Sequence, residues 1–217
     1  MSKKLICLAL VLYLGCLIVG CQLRDKESPT RLTYNLPTKL TIDVGQALPG
    51  THIVYQELSD RGAHLLIDGK VAVKRKGDSF KWEGTPSDGV EVDLDLRVAW
   101  YNEDQVHLVG MAKIVIEGVA PVASTISTDS PISYAGPAVY NLAKGAIIPG
   151  STLSYQGEQD DGAELGGTTE YPYRQVGDSV YWEGRLRQNV SIRLELRVLQ
   201  YDDRGLRLGG IVSLWVG

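Results

Sequence analysis

The sequence predicts an all-β chain: two tandem copies of one small antiparallel domain, a β-sandwich or β-barrel, preceded by a signal peptide and a tether. Three observations predict it. The chain matches itself without a gap at a shift of one hundred residues, and its apolar residues alternate with period two over long runs. No window of useful length carries the 3.6-residue period of a helix.

The repeat begins near residue 40. Leu48-Pro49-Gly50-Thr51 faces Ile148-Pro149-Gly150-Ser151, and Tyr55-Gln56 faces Tyr155-Gln156. Gly77-Asp78-Ser79 and Trp82-Glu83-Gly84 recur as Gly177-Asp178-Ser179 and Trp182-Glu183-Gly184. Leu94, Leu96, Arg97, Val98 and Tyr101 face Leu194, Leu196, Arg197, Val198 and Tyr201. About 23 of roughly 78 aligned pairs are identical. That period is too long for a solenoid and fits a pair of small domains.

Within each copy the longest elements form a hairpin. Val90, Val92, Leu94, Leu96 and Val98 alternate with polar residues, as do Val190, Ile192, Leu194, Leu196 and Val198. Polar turns follow at 102–105 and 202–205. The alternation then resumes at Val106, Leu108, Gly110, Ala112, Ile114 and Ile116, and at their counterparts from Leu206 to Val216. Period two puts one set of side chains in a core and the other in water. Shorter strands are expected over 40–44, 52–57, 63–67, 70–76 and 79–83, bounded by Gly, Pro or Asp.

Composition sets the boundaries: a signal peptide over 1–20, Cys21 and a flexible tether over 21–37, copy 1 over 38–117, a linker rich in Pro, Ser and Thr over 118–137, and copy 2 over 138–217. Each copy of about 80 residues buries a modest core, which favours packing of one against the other.

The N-terminus reads as an address. Lys3 and Lys4 precede an apolar run from Leu5 to Val19, short for a membrane span and ending in Gly20-Cys21. Ile18-Val19-Gly20-Cys21 resembles the lipobox of bacterial lipoproteins. The resemblance implies cleavage before Cys21, a diacylglycerol thioether on its sulfur and a further acyl chain such as palmitate on its amine. Each buried methylene adds about 0.8 kcal/mol of membrane affinity, so several chains make a durable anchor. The expected location is the cell envelope, on the membrane and outside the cytoplasm. Cys7 and Cys16 leave with the signal, so the mature body has no thiol for a disulfide, a metal or a nucleophile.

With Lys+Arg 22 against Asp+Glu 26, the net charge is −4, which offers no basic face for nucleic acid. No nucleotide-binding, zinc-protease or nucleophile-elbow motif occurs, and no cofactor or metal is expected. Asp78 with Glu83, or Asp178 with Glu183, would be the acid pair of a hydrolase. A turn aspartate beside a strand whose Trp enters the core is the simpler account. Asp60, Asp160-Asp161 and Asp202-Asp203 lack Ca²⁺-loop spacing and read as turn residues. His52, His64 and His107 fall in copy 1 alone and read as surface histidines. Lys74-Arg75-Lys76 reads as a charged strand edge. The best ligand surface is the aromatic set of Tyr171, Tyr173, Tyr181 and Trp182, since such rings stack on sugars and peptides. The expected function is therefore binding or scaffolding without catalysis, through an envelope protein or a glycan, with a carbohydrate-binding module as the alternative.

Overall fold

The computed structural model describes residues 30–217, and no helix occurs among the described residues. The predicted signal peptide, Cys21 and the first part of the predicted tether lie outside the described residues.

The first half builds a four-stranded antiparallel sheet from β1 (Arg31–Asp43), β5 (Ser79–Ser87), β6 (Val90–Tyr101) and β7 (Gln105–Glu117), in the order β1-β7-β6-β5. A second sheet follows the chain as β2 (Ile53–Ser59), β3 (Gly62–Ile67) and β4 (Lys70–Lys74). The second half repeats this plan. β9 (Ile132–Ala143), β15 (Gly205–Val216), β14 (Val190–Tyr201) and β13 (Ser179–Arg187) stand where β1, β7, β6 and β5 stand. β10 (Ser154–Gln159), β11 (Gly162–Gly166) and β12 (Tyr173–Arg174) make the smaller sheet. Register repeats too: Trp82 pairs with Leu94 and Trp182 with Leu194, while Leu94 pairs with Ala112 and Leu194 with Val212. The second large sheet has one strand more, β8 (Val122–Ala123), on the outer edge of β13.

The predicted hairpins form as β6–β7 and β14–β15, with Val90, Val92, Leu94, Leu96 and Val98 buried on one face. Ile53, Tyr55, Ala63 and Leu65 of the smaller sheet join the same cluster of buried side chains. Both large sheets are open, so the barrel alternative does not form. Their outermost strands β1 and β9 carry Pro37 and Pro137, which have no N–H to give to a further ladder.

Several boundaries differ from expectation. β1 starts at Arg31, within the predicted tether, because Leu32, Tyr34 and Leu36 extend the buried alternation toward the N-terminus. Pro37 does not stop it, since an edge strand tolerates proline. Likewise β9 takes in 132–137 of the predicted linker, and Val119 and β8 tie down its beginning. Main-chain bonds hold that stretch: Val119 N–H donates to Thr30, and Ala120 N–H donates to Leu186. β5 runs to Ser87 rather than 83, and β4 ends at Lys74.

The halves meet along a reciprocal seam. Gly136 of β9 lies so close to β1 that a Cβ there would come 3.2 Å from Leu36 and 3.3 Å from Pro37. Gly50 abuts Ile132 of the second half, and its counterpart Gly150 abuts Leu32, the counterpart of Ile132. The hydroxyls of Tyr34 and Tyr140 approach each other here, buried and without a well-formed hydrogen bond. Burial, reinforced by Tyr140, raises the Tyr34 pKa far above the ordinary phenol value. At one end of the seam the Arg187 guanidinium donates to the Glu117 carbonyl at 2.9 Å and pairs with Asp88, while Asn189 reaches Ser87 and the Asp88 carbonyl.

Candidate functional site

Asp78, Arg97, Tyr55 and their counterparts in the second half are spent on the fold. Asp78 accepts a hydrogen bond from the Arg75 N–H at 2.8 Å, and Asp178 accepts one from the Gln175 N–H at 2.7 Å. Arg97 donates to the Gly77 carbonyl and Arg197 to Gly177, fixing the same turn from the neighbouring strand. Tyr55 and Tyr155 are fully buried and donate their hydroxyls to the carbonyls of Asn102 and Asp202. Asn102 and Asp202 accept two backbone N–H groups each, as Asx turns do. Asp78 and Glu83 do not converge on one cleft: Asp78 is bound into its turn, while Glu83 stands on an exposed strand face. Asp178 and Glu183 also line separate depressions.

The four aromatic candidates divide into two groups on either side of Arg174. Tyr171, 64 % exposed, meets Tyr173 edge-on at 5.4 Å beside a depression of about 410 Å³ that also involves Asp161 and Gln175. Tyr181, 55 % exposed, and Trp182 line a second hollow with Thr152, Thr168 and Glu170. Trp182 itself is only 5 % exposed, and its indole N–H donates to the Thr152 hydroxyl at 3.0 Å. Its face is therefore core rather than a stacking platform. Arg174 is committed as well, donating to the carbonyls of Ser179, Tyr171 and Tyr173 and pairing with Glu170.

Tyr181 donates to Glu183 at 2.6 Å, and Glu183 also receives Arg193 at 3.1 Å. Burial, then the Glu183 carboxylate, raises the Tyr181 pKa above its ordinary value. Arg193 in turn lies over the Trp215 ring at 5.4 Å. In the first half the matching face is different. Glu83, Glu91, Asp93 and Lys113 surround a depression of about 460 Å³. Asp93 holds the place of Arg193, directly across the ladder from Glu83. No ion pair among the described residues reaches Glu83, Glu91 or Asp93. Glu183 is neutralised by Arg193, while the depression of the first half holds three carboxylates against Lys113.

The histidines are dispersed. His107 stacks on Trp100 at 4.2 Å and contacts the Thr41 hydroxyl. His52 faces Asp68 at 3.7 Å, and Asp68 also accepts the Trp82 indole N–H. His64 is the arrangement that sequence spacing did not suggest: its Nε2 lies 2.9 Å from the Ser59 hydroxyl and its Nδ1 3.5 Å from Glu57. The order Ser-His-Glu has the outline of a nucleophile relay. Ser59 is however held in its own turn by the Arg61 N–H and the Gly62 carbonyl, and the second half keeps the cross-hairpin tie as Gln159–Glu164. A tie that survives replacement of both partners by non-nucleophiles is a hairpin clasp. Lys74 and Arg75 are likewise engaged, Lys74 with the Ser79 carbonyl and Arg75 with that of Arg61. Among the described residues no three His, Cys, Asp or Glu side chains group as metal ligands. Comparison with family models, curated proteins and solved structures finds no match to this chain.

Proposed function

We propose that this chain is a lipid-anchored protein of the bacterial cell envelope, held by acyl chains on Cys21. It carries two tandem copies of one β-sandwich domain outside the cytoplasm, acting by binding or scaffolding without catalysis. The observation that carries the anchor is the run Ile18-Val19-Gly20-Cys21 at the end of an apolar stretch that follows Lys3 and Lys4. The matching strand order and register of the two halves support the tandem reading. Commitment of Asp78, Arg97 and their counterparts to the same turn in both halves supports a framework duplicated for its shape. Burial of Trp182 counts against the carbohydrate-binding alternative, which is left with the exposed Tyr171 and Tyr181 on separate depressions.

Labelling cells with radioactive palmitate tests the anchor. The wild-type chain is expected to take up label and to accumulate as a precursor when signal peptidase II is inhibited by globomycin. The Cys21→Ala chain is expected to do neither. Equal labelling of the two chains overturns the reading.

A further inference from the structure

We infer that the outer edge of β5 is a docking site for an extended, cationic segment of a partner protein, which joins the first large sheet as a further antiparallel strand. The second half shows the arrangement occupied. There β8 lies against β13, with Val122 paired to Arg185 and Ala123 to Gly184. Ser124 N–H donates to the Glu183 carbonyl, and Ala120 N–H to that of Leu186. Gly184 and Leu186 are buried under this strand.

From Ser79 to Gly84 β5 has the same register on β6 that β13 has on β14, and Ser87 pairs with Val90 as Arg187 does with Val190, so Glu83 and Pro86 hold the places of Glu183 and Leu186; the Arg185–Ser191 pair alone has no counterpart at Thr85. No strand among the described residues pairs with that edge: β5 ends its sheet, and although Gly50 packs against Pro86, Glu83, Gly84 and Pro86 are all more exposed than their counterparts. An unpaired edge offers a row of main-chain donors and acceptors to any extended chain. Pro86 does not spoil it, because position 186 is used through its carbonyl in the occupied copy.

Side chains state the chemistry of the occupant. The residue in the place of Ala123 must be small, because it sits over Gly84 and the buried Trp82. Its two neighbours, in the places of Val122 and Ser124, lie across from Thr85 and Glu83 on the outer face. The depression beside that edge is lined by Glu83, Glu91 and Asp93 with one cation, Lys113, while Lys81 further along the same face is paired with Asp95. The second half, whose β8 brings no charge, has Arg193 where the first half has Asp93. Three carboxylates left unpaired beside an open edge fit a cationic–small–cationic strand. Glu83 and Asp93 face each other across the ladder as like charges, and the single Lys113 on the far side of Asp93 leaves the three carboxylates in excess.

The inference rests on the edge and not on the anchoring reading, so the two are tested apart. Two synthetic peptides serve as probes. One, GVAPVASTI, copies residues 118–126; the other, GVAPKAKTI, has lysine in the places of Val122 and Ser124. The full chain in detergent is expected to bind the lysine peptide at least ten-fold more tightly than the neutral one. Amide exchange at residues 83–86 is expected to slow on binding. Asp93→Arg, which installs the residue the second half already uses, is expected to keep the fold and weaken the lysine peptide at least ten-fold. Cys21→Ala is expected to change none of this. Equal binding of the two peptides, binding that survives Asp93→Arg, or protection mapped to another strand overturns the proposal. Strong protection of residues 83–86 with no peptide present also overturns it, since the edge is then already filled from this chain or a second copy.

Discussion

The indole of Trp82 lies directly on Gly84, two residues further along the same strand: a Cβ on Gly84 would stand 2.4 Å from the ring. Gly184 is under the Trp182 ring in the same way, and a Cβ there would also stand 2.3 Å from the Val122 carbonyl oxygen of β8. The repeated Trp-Glu-Gly is thus a packing unit, the ring needing a neighbour without a side chain. Gly84→Ala is expected to cost about 1–3 kcal/mol as overpacking. Gly184→Ala is expected to cost more, because backbone cannot move aside as a side chain can. Urea denaturation midpoints of the two variants against wild type check the order.

Burial separates the aromatic residues that sequence groups together. Trp182→Ala is expected to cost about 3–5 kcal/mol, as large-to-small changes in a core do. Tyr171→Ala, at an exposed position, is expected to stay within about 0.5 kcal/mol of wild type. Thermal unfolding of both distinguishes them. Any glycan-binding assay on this chain therefore needs Tyr171→Ala or Tyr181→Ala, since loss of binding in Trp182→Ala would report loss of fold.

Arg187 reaches from the second half to the Glu117 carbonyl and the Asp88 carboxylate of the first, across Gly89. Asp88 is almost fully exposed, so its ion pair contributes little. The bond to the carbonyl carries the effect. Arg187→Ala is expected to cost about 1–2 kcal/mol and to speed amide exchange at 117–120. Asp88→Asn is expected to leave both nearly unchanged.

Alkaline pH acts on the buried tyrosines. Burial pushes the Tyr134 pKa up to about 12, and burial with the nearby Glu158, Asp202 and Asp203 takes Tyr155 to about 12. Unfolded tyrosine titrates near 10. The folded chain holds these protons more tightly, so their stabilisation is complete below roughly pH 10 and lost as pH rises toward 12. The melting temperature is expected to fall across that window. Tyr134→Phe, which has no proton to lose, is expected to flatten the fall.

The hairpins β6–β7 and β14–β15 were legible because Val90 to Val98 and their partners keep strict alternation, which a single buried face demands. The start of β1 was not, because Pro37 and the polar residues Thr33 and Asn35 read as tether. Only pairing with β7 shows that Leu32, Tyr34 and Leu36 share a face. β8 is not legible for a related reason: two residues among Pro, Ser and Thr carry no period, and tertiary pairing alone makes them strand. Tyr171 and Tyr181 were legible as exposed aromatics, yet which ring faces water is set by strand parity, and Trp182 falls on the inner side. The acidic face was hidden because Glu83, Glu91 and Asp93 are scattered along two strands that only register brings together.

At the seam, Gly50 meets Ile132 and Gly150 meets Leu32, so equivalent positions exchange the same roles. Such a contact is isologous, the kind by which two identical subunits form a closed dimer. A polypeptide encoding either half alone would present a surface able to mate with a second copy of itself. Joining the halves in one chain fixes the pairing at any concentration. It also releases each outer face to change independently, as the divergence of Asp93 and Arg193 records.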